Sequence, residues 1–150
     1  MPRKRNAHSR LVPLGTFLSL RRAERGLLLR TLPLVLAIRL ALWLLPLRRV
    51  VGLIRRWEPL LLALPADLPV SRLEWAVRAV SRRVPKASCL TQALALQFLL
   101  ARAGRRSEIH IGVAKNSEAG FQSHAWVECE GSTLLSAPSE VIEYSRLLAL

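Results

Sequence analysis

At Gly104 the spacing of the apolar residues changes, and that change constrains the fold more than any other feature of the chain. Up to that point leucines, alanines and valines recur at helical intervals, as in CLTQALALQFLLARA (89–103). Beyond it, EIHIGVAK (108–115) and HAWVECEG (124–131) alternate apolar and polar residues in the manner of half-buried strands. NSEAGFQS between them contains a turn glycine, and Glu130-Gly131 offers a second tight turn before a third strand, STLLSA (132–137). Helices first and a small antiparallel sheet after them is an α+β order.

Within the helical half the expected segments run from Phe17 to about Arg30, from Leu34 to Leu45 after a break at Pro33, from Arg48 to Trp57, and from Ser71 to Arg83. Pro46 ends or kinks the second. In the fourth, Ser71 stands as the cap and Glu74 at the capping-box position, with Leu73, Val77 and Val80 on one face. The segment EPLLLALPADLP (58–69) carries three prolines and reads as a linker. The expected organisation is a disordered basic tail over 1–15, a helical segment over 16–66 and a core over 67–150. At 150 residues there is room for one domain with a modest core, or a small domain with a helical extension.

The chain carries 23 Lys and Arg against 10 Asp and Glu, a formal net charge of +13, so an acidic or anionic partner fits it. Nucleic acid is disfavoured, because the arginines alternate with leucines on helical stretches and the few aromatics are too scattered for a stacking surface. The longest apolar stretch is interrupted by Arg30, Arg39, Pro33 and Pro46, leaving apolar runs shorter than the roughly 20 residues that cross a bilayer. It reads as basic amphipathic helix, packed on its own domain, docked on a protein groove or lying peripherally on an anionic membrane surface. MPRKRNAHSR lacks the form of a signal peptide, and two cysteines without a disulfide framework fit a reducing cytoplasm.

Pro85 prevents a helix from running through it and Ser88 is a good cap, so Cys89 falls in the first turn of the next helix, which Gly104 closes. Unpaired backbone N–H groups and the helix dipole favour an anion there, which suits a nucleophilic sulfur, although a lone cysteine in an apolar helix also suits simple packing. His124 opens the strand HAWVE, on one face with Trp126 and Glu128, while Ala125 and Val127 take the other. A thiol nucleophile needs such an imidazole to accept its proton and later protonate the leaving amine. His110, within a strand, and His8, in the tail, read as structural. Trp126 reads as a core or pocket-wall residue. Cys129 falls on the face opposite His124 and reads as packing. No zinc-like Cys/His spacing and no Gly-rich phosphate loop is present, so neither a metal nor another cofactor is expected.

The runs ASCLTQALALQFLLARAG (87–104), EIHIGVAK and FQSHAWVECEG (121–131), with RLALWLLPLRRV (39–50) upstream, resemble the leader peptidases of lasso-peptide biosynthesis. These are the standalone B proteins of the split systems, within the transglutaminase-like cysteine peptidases. The resemblance covers roughly residues 17–142. It implies a papain-like core with Cys89 on a helix start packed against an antiparallel sheet, His124 on one strand and an Asp on the next. It also implies a ribosomally made precursor peptide as substrate, a separate small leader-recognition protein as partner, and an asparagine-synthetase-like cyclase acting on the product. The arginine-rich helical first half is the expected docking surface for the recognition protein.

Where the family has its Asp, about twelve residues past the His, this chain has Ser136, and its one Asp, Asp67, lies in the linker. Ser136 could hold the imidazole as a neutral acceptor, or Glu140 could substitute for the missing carboxylate. A non-catalytic scaffold that delivers precursor to the cyclase is the alternative that the missing Asp allows. For an oxyanion, the backbone N–H of Cys89 is the natural donor; Gln92, one turn on, is a weaker second.

Overall fold

The computed structural model describes residues 22–57, 63–116, 120–136 and 145–149. The expected tail over 1–15, the Phe17 helix start and Glu140 lie outside them. Among these residues four helices come first: α1 (Arg22–Leu44), α2 (Leu47–Trp57), α3 (Val70–Ser81) and α4 (Cys89–Arg102). Four strands follow among the described residues: β1 (Ser107–Asn116), β2 (Gly120–Cys129), β3 (Ser132–Leu134) and β4 (Ser145–Ala149), in one sheet of order β3-β2-β1-β4. β1 is antiparallel to β2 and β4, and β2 to β3. The α+β arrangement expected from the change of period is the fold.

One hydrophobic core joins both halves. Val35 and Ile38 of α1, Val50 of α2, Leu73 and Val77 of α3, and Leu94, Leu96 and Leu100 of α4 are buried together with Ile109, Ala125 and Val127 of the sheet. Glu24 of α1 is ion-paired to Arg72 of α3. Gln97 on α4 donates to the Ser107 carbonyl at 3.3 Å, tying α4 to the start of β1.

Three expectations are corrected. Pro33 does not break α1, which runs unbroken for 23 residues. Proline removes the bond to the carbonyl four residues back, that of Leu29. Both Pro33 and Leu29 are on the exposed side of the helix, so water can serve the carbonyl that proline leaves. Without that break, Glu24–Leu44 is long and apolar enough to cross a membrane by length and composition, with a mean hydropathy of 1.9. It nevertheless buries one face, including Thr31, Val35 and Ile38, in the core.

The second correction concerns α3, which begins at Val70 with Pro69 in the cap position and no side-chain cap. Ser71 therefore lies inside the helix, and Glu74 is released from the capping box for another contact. The third is β3, which stops at Leu134 because Leu135 turns to a φ of 67°, a left-handed conformation that extended pairing cannot continue.

Other expectations match the local chemistry. Ser88 Oγ accepts from the Thr91 N–H at 3.3 Å and caps α4. At the far end Gly104 takes a φ of 71°, and the N–H groups of Gly104 and Arg105 return to the Ala101 and Leu100 carbonyls, a Schellman closure that favours glycine there. Glu130 and Gly131, at φ 52° and 79°, form the two-residue turn between β2 and β3.

Candidate functional site

Cys89 is the first residue of α4. Its backbone N–H belongs to the first turn, where no intrahelical acceptor exists, so it can donate to an approaching oxygen. The side chain is half-buried and packs against the hydrophobic core. Gln92 sits one turn along α4, also half-buried.

His124 faces a different residue of the predicted set. Its Nε2 lies 2.9 Å from Ser136 Oγ. The alternation of β2 and β3 would not produce this contact. Leu134 pairs with Val127 and shares its core-facing side, and a regular strand would place Ser136 on that side too, away from His124. The left-handed turn at Leu135 breaks the alternation and carries Ser136 round to the imidazole. A leucine at positive φ needs external support, and Glu74 supplies it: its Oε1 accepts the Leu135 N–H at 2.8 Å across 61 residues of sequence. The same oxygen accepts from Arg78 at 2.9 Å.

Glu74 thus holds the turn from which Ser136 meets His124, a contact that sequence reasoning missed. Glu74→Ala is expected to lower the turnover of whatever reaction His124 serves by roughly tenfold with KM little changed, given that misplacing an orienting group by about 1 Å can cost up to 10²-fold. Glu74→Gln, which keeps an oxygen acceptor, should restore most of it. Steady-state kinetics of the two variants check this, and an equal loss in both would remove the hydrogen bond as the cause.

The imidazole is also held from the side. Trp126, fully buried, stacks on His124 with ring centroids 6.3 Å apart and on His110 with centroids 5.8 Å apart, so the indole lies between two imidazoles. Trp126 Nε1 donates to Glu128 Oε1 at 3.3 Å, and the other Glu128 oxygen lies 3.3 Å from His110 Nε2, at ion-pair distance but outside hydrogen-bond geometry. Sequence alternation put Trp126 and Glu128 on the His124 face; that His110 joins them follows from the His110–Trp126 register of β1 and β2. His110 is buried here.

Cys129 points to the opposite side and is buried in the core. Burial pushes its thiol pKa up, and the neighbouring Glu130 carboxylate raises it further while Arg105 opposes them. Such a thiol is a poor nucleophile. Among the described residues no group of three or more His, Cys, Asp or Glu is placed to hold a metal ion. A concavity of about 380 Å³ between α2 and α4, lined by Val51, Ile54, Leu94 and Phe98, contains none of Cys89, His124 and Ser136.

The structure therefore brings together His124 and Ser136, supports them with Trp126, Glu74 and Glu128, and sets Cys89 at the helix start that packs behind the sheet. Compared with known families, residues 32–149 match the profile of the transglutaminase-like superfamily. No match was found among curated proteins or among solved structures.

Proposed function

Since the chain belongs to the transglutaminase-like superfamily, which includes cysteine peptidases, we propose that it is a cysteine peptidase that removes the leader from a ribosomally made lasso precursor peptide. It works with a separate small leader-recognition protein and hands its product to an asparagine-synthetase-like cyclase. Cys89 is the nucleophile, His124 the base and acid, and Ser136 the group that orients the imidazole. The observation that carries this reading is the 2.9 Å contact between His124 Nε2 and Ser136 Oγ, at the position where the family resemblance calls for a carboxylate.

That contact leaves one imidazole nitrogen for the exchange of protons. With Ser136 engaging Nε2, the proton exchanged with Cys89 and with substrate falls to Nδ1. Cys89 Sγ gives its proton to His124 and attacks the carbonyl carbon at the leader–core junction, and the carbonyl electrons move onto oxygen beside the Cys89 N–H. Collapse expels the core's amine, which takes the proton from His124, and leaves the leader as a thioester on Sγ. Water, deprotonated by His124, then hydrolyses the thioester and regenerates the thiol. The reading sets this work in the cytoplasm, where Cys89 and Cys129 stay reduced.

Serine in place of the family Asp favours a second reading, a catalytically impaired scaffold that only delivers precursor to the cyclase. A neutral hydroxyl fixes the ring but stabilises imidazolium less than a carboxylate does. Ser136→Asp is accordingly expected to raise turnover on the order of tenfold or more, measured as initial rate of precursor cleavage. An unchanged or lower rate would mean that the hydroxyl already serves, or that the 9 % exposed site rejects the charge.

The experiment that tests the function is precursor cleavage followed by mass spectrometry, with and without the recognition protein at micromolar concentration. Cleavage is expected to be slow or undetectable for this chain alone and rapid with the partner. Equal rates in both would overturn the partner requirement. Precursor binding without cleavage in either would leave the scaffold as the better reading.

A further inference from the structure

α1 has two apolar faces, and the fold uses one. Thr31, Val35 and Ile38 are buried, but on the opposite side Leu29, Leu32, Leu36, Leu40, Trp43 and Leu44 form a continuous exposed stripe, with Leu29 at 62 % and Trp43 at 74 %. Their helical angles fall within about a third of the circumference. Arg30 and Arg39 border the stripe on its two sides. A turn of two residues then leads into α2, whose exposed side carries Arg48, Arg49, Arg55 and Arg56 beside Leu53 and Trp57. From Arg25 to Trp57 the chain has no Asp or Glu.

We propose that the exposed stripe of α1 docks on an anionic lipid bilayer, with α1 lying in the plane of the interface and the exposed arginines of α2 following it along the chain. The charge pattern selects this occupant. A protein groove would have to pair acids with arginines on both flanks of a long convex stripe. A phosphate-rich surface meets them at once, while Leu36, Leu40 and Leu44 enter the acyl boundary and the Leu29 carbonyl freed by Pro33 stays at the hydrated headgroup level. Exposed Trp43 and Trp57, at the C-terminal ends of α1 and α2, match the preference of indole for the headgroup level. The burial of the other face of α1 in the core favours lying on the bilayer over crossing it. The proposal is independent of the peptidase chemistry, since neither Cys89, His124 nor Ser136 lies on this surface.

The test is binding of the full chain to vesicles of phosphatidylcholine alone and of phosphatidylcholine with roughly one part in four phosphatidylglycerol. Flotation reads partition, and quenching of tryptophan by bromine-labelled acyl chains reads depth. Binding at least about tenfold stronger to the anionic vesicles, with quenching, is expected. Leu36→Glu with Trp43→Glu should weaken it about tenfold or more while circular dichroism stays unchanged. Arg48→Gln with Arg49→Gln provides a second variant that leaves the apolar stripe intact, and it should reduce the preference for anionic lipid. No binding, equal binding to neutral vesicles, or binding that resists alkaline carbonate extraction would overturn the proposal. So would a soluble complex with the recognition protein, or a dimer of this chain, that the Leu36→Glu, Trp43→Glu variant disrupts while vesicle binding is absent.

Discussion

A Cys89→Ala protein is expected to fold and to release no core peptide. The side chain is half-buried at the start of α4 against the hydrophobic core, so losing one sulfur should cost about 1 kcal/mol, comparable with one buried methyl group. Ser88 continues to cap the helix through Thr91. The covalent route, by contrast, disappears, and cleavage should fall by about four powers of ten or more. His124→Ala should be nearly as damaging, by about 10²–10⁴-fold, because the thiol loses its proton acceptor and the amine its acid. Precursor cleavage by mass spectrometry, paired with thermal unfolding, separates this result from misfolding: activity absent with the melting curve retained.

Trp126→Ala should have the largest effect on stability. The indole is fully buried and is held by two imidazoles and by Glu128. Removing it leaves a large cavity and exposes the buried imidazole of His110 to water, for a loss of about 3–5 kcal/mol. Against a typical total of about 5–15 kcal/mol this is severe, and for a chain of this size it corresponds to a fall in Tm of about 10 °C or more. Trp126→Phe keeps an aromatic ring between the imidazoles and forfeits the hydrogen bond to Glu128, so a loss nearer 1 kcal/mol is expected. Thermal unfolding by circular dichroism measures both. A Trp126→Ala protein as stable as the parent would remove the three-ring stack as the support of His124.

The parts of the fold that were legible in the sequence are those decided by neighbouring residues. Pro85, Ser88 and Gly104 act on the backbone within a few positions, so the bounds of α4 and the place of Cys89 in its first turn could be read directly. The alternation about His124 and the Glu130-Gly131 turn are equally local. The effect of Pro33 is not legible locally, because the cost of a helical proline depends on whether the carbonyl it strands can reach water, which is a property of the packed helix. The contact of Glu74 is hidden from local pattern because its partner, the Leu135 N–H, lies 61 residues away.

β4 was missed for a similar reason. SRLLA has no alternation of its own, and it becomes a strand by pairing with β1, across a register shift between Ile111 and Gly112. The candidate site divides along the same line. Cys89, His124 and Ser136 could be proposed from residue type, local element and family resemblance. The left-handed Leu135 that turns Ser136 toward the imidazole, and the Trp126–His110–Glu128 support, depend on pairings across the sheet and between α3 and the sheet.

In the proposed reaction Cys89, and not the thiol of Cys129, performs the chemistry. The most direct test is to titrate the protein with iodoacetamide and measure, on the same samples, precursor cleavage and the carbamidomethylation of each cysteine by peptide mass spectrometry. Cys129 is buried and its thiol pKa is pushed up, so it should react slowly. The expected result is activity that falls in proportion to alkylation of Cys89 while Cys129 remains unmodified. Full cleavage by a protein whose Cys89 is completely alkylated would contradict the account.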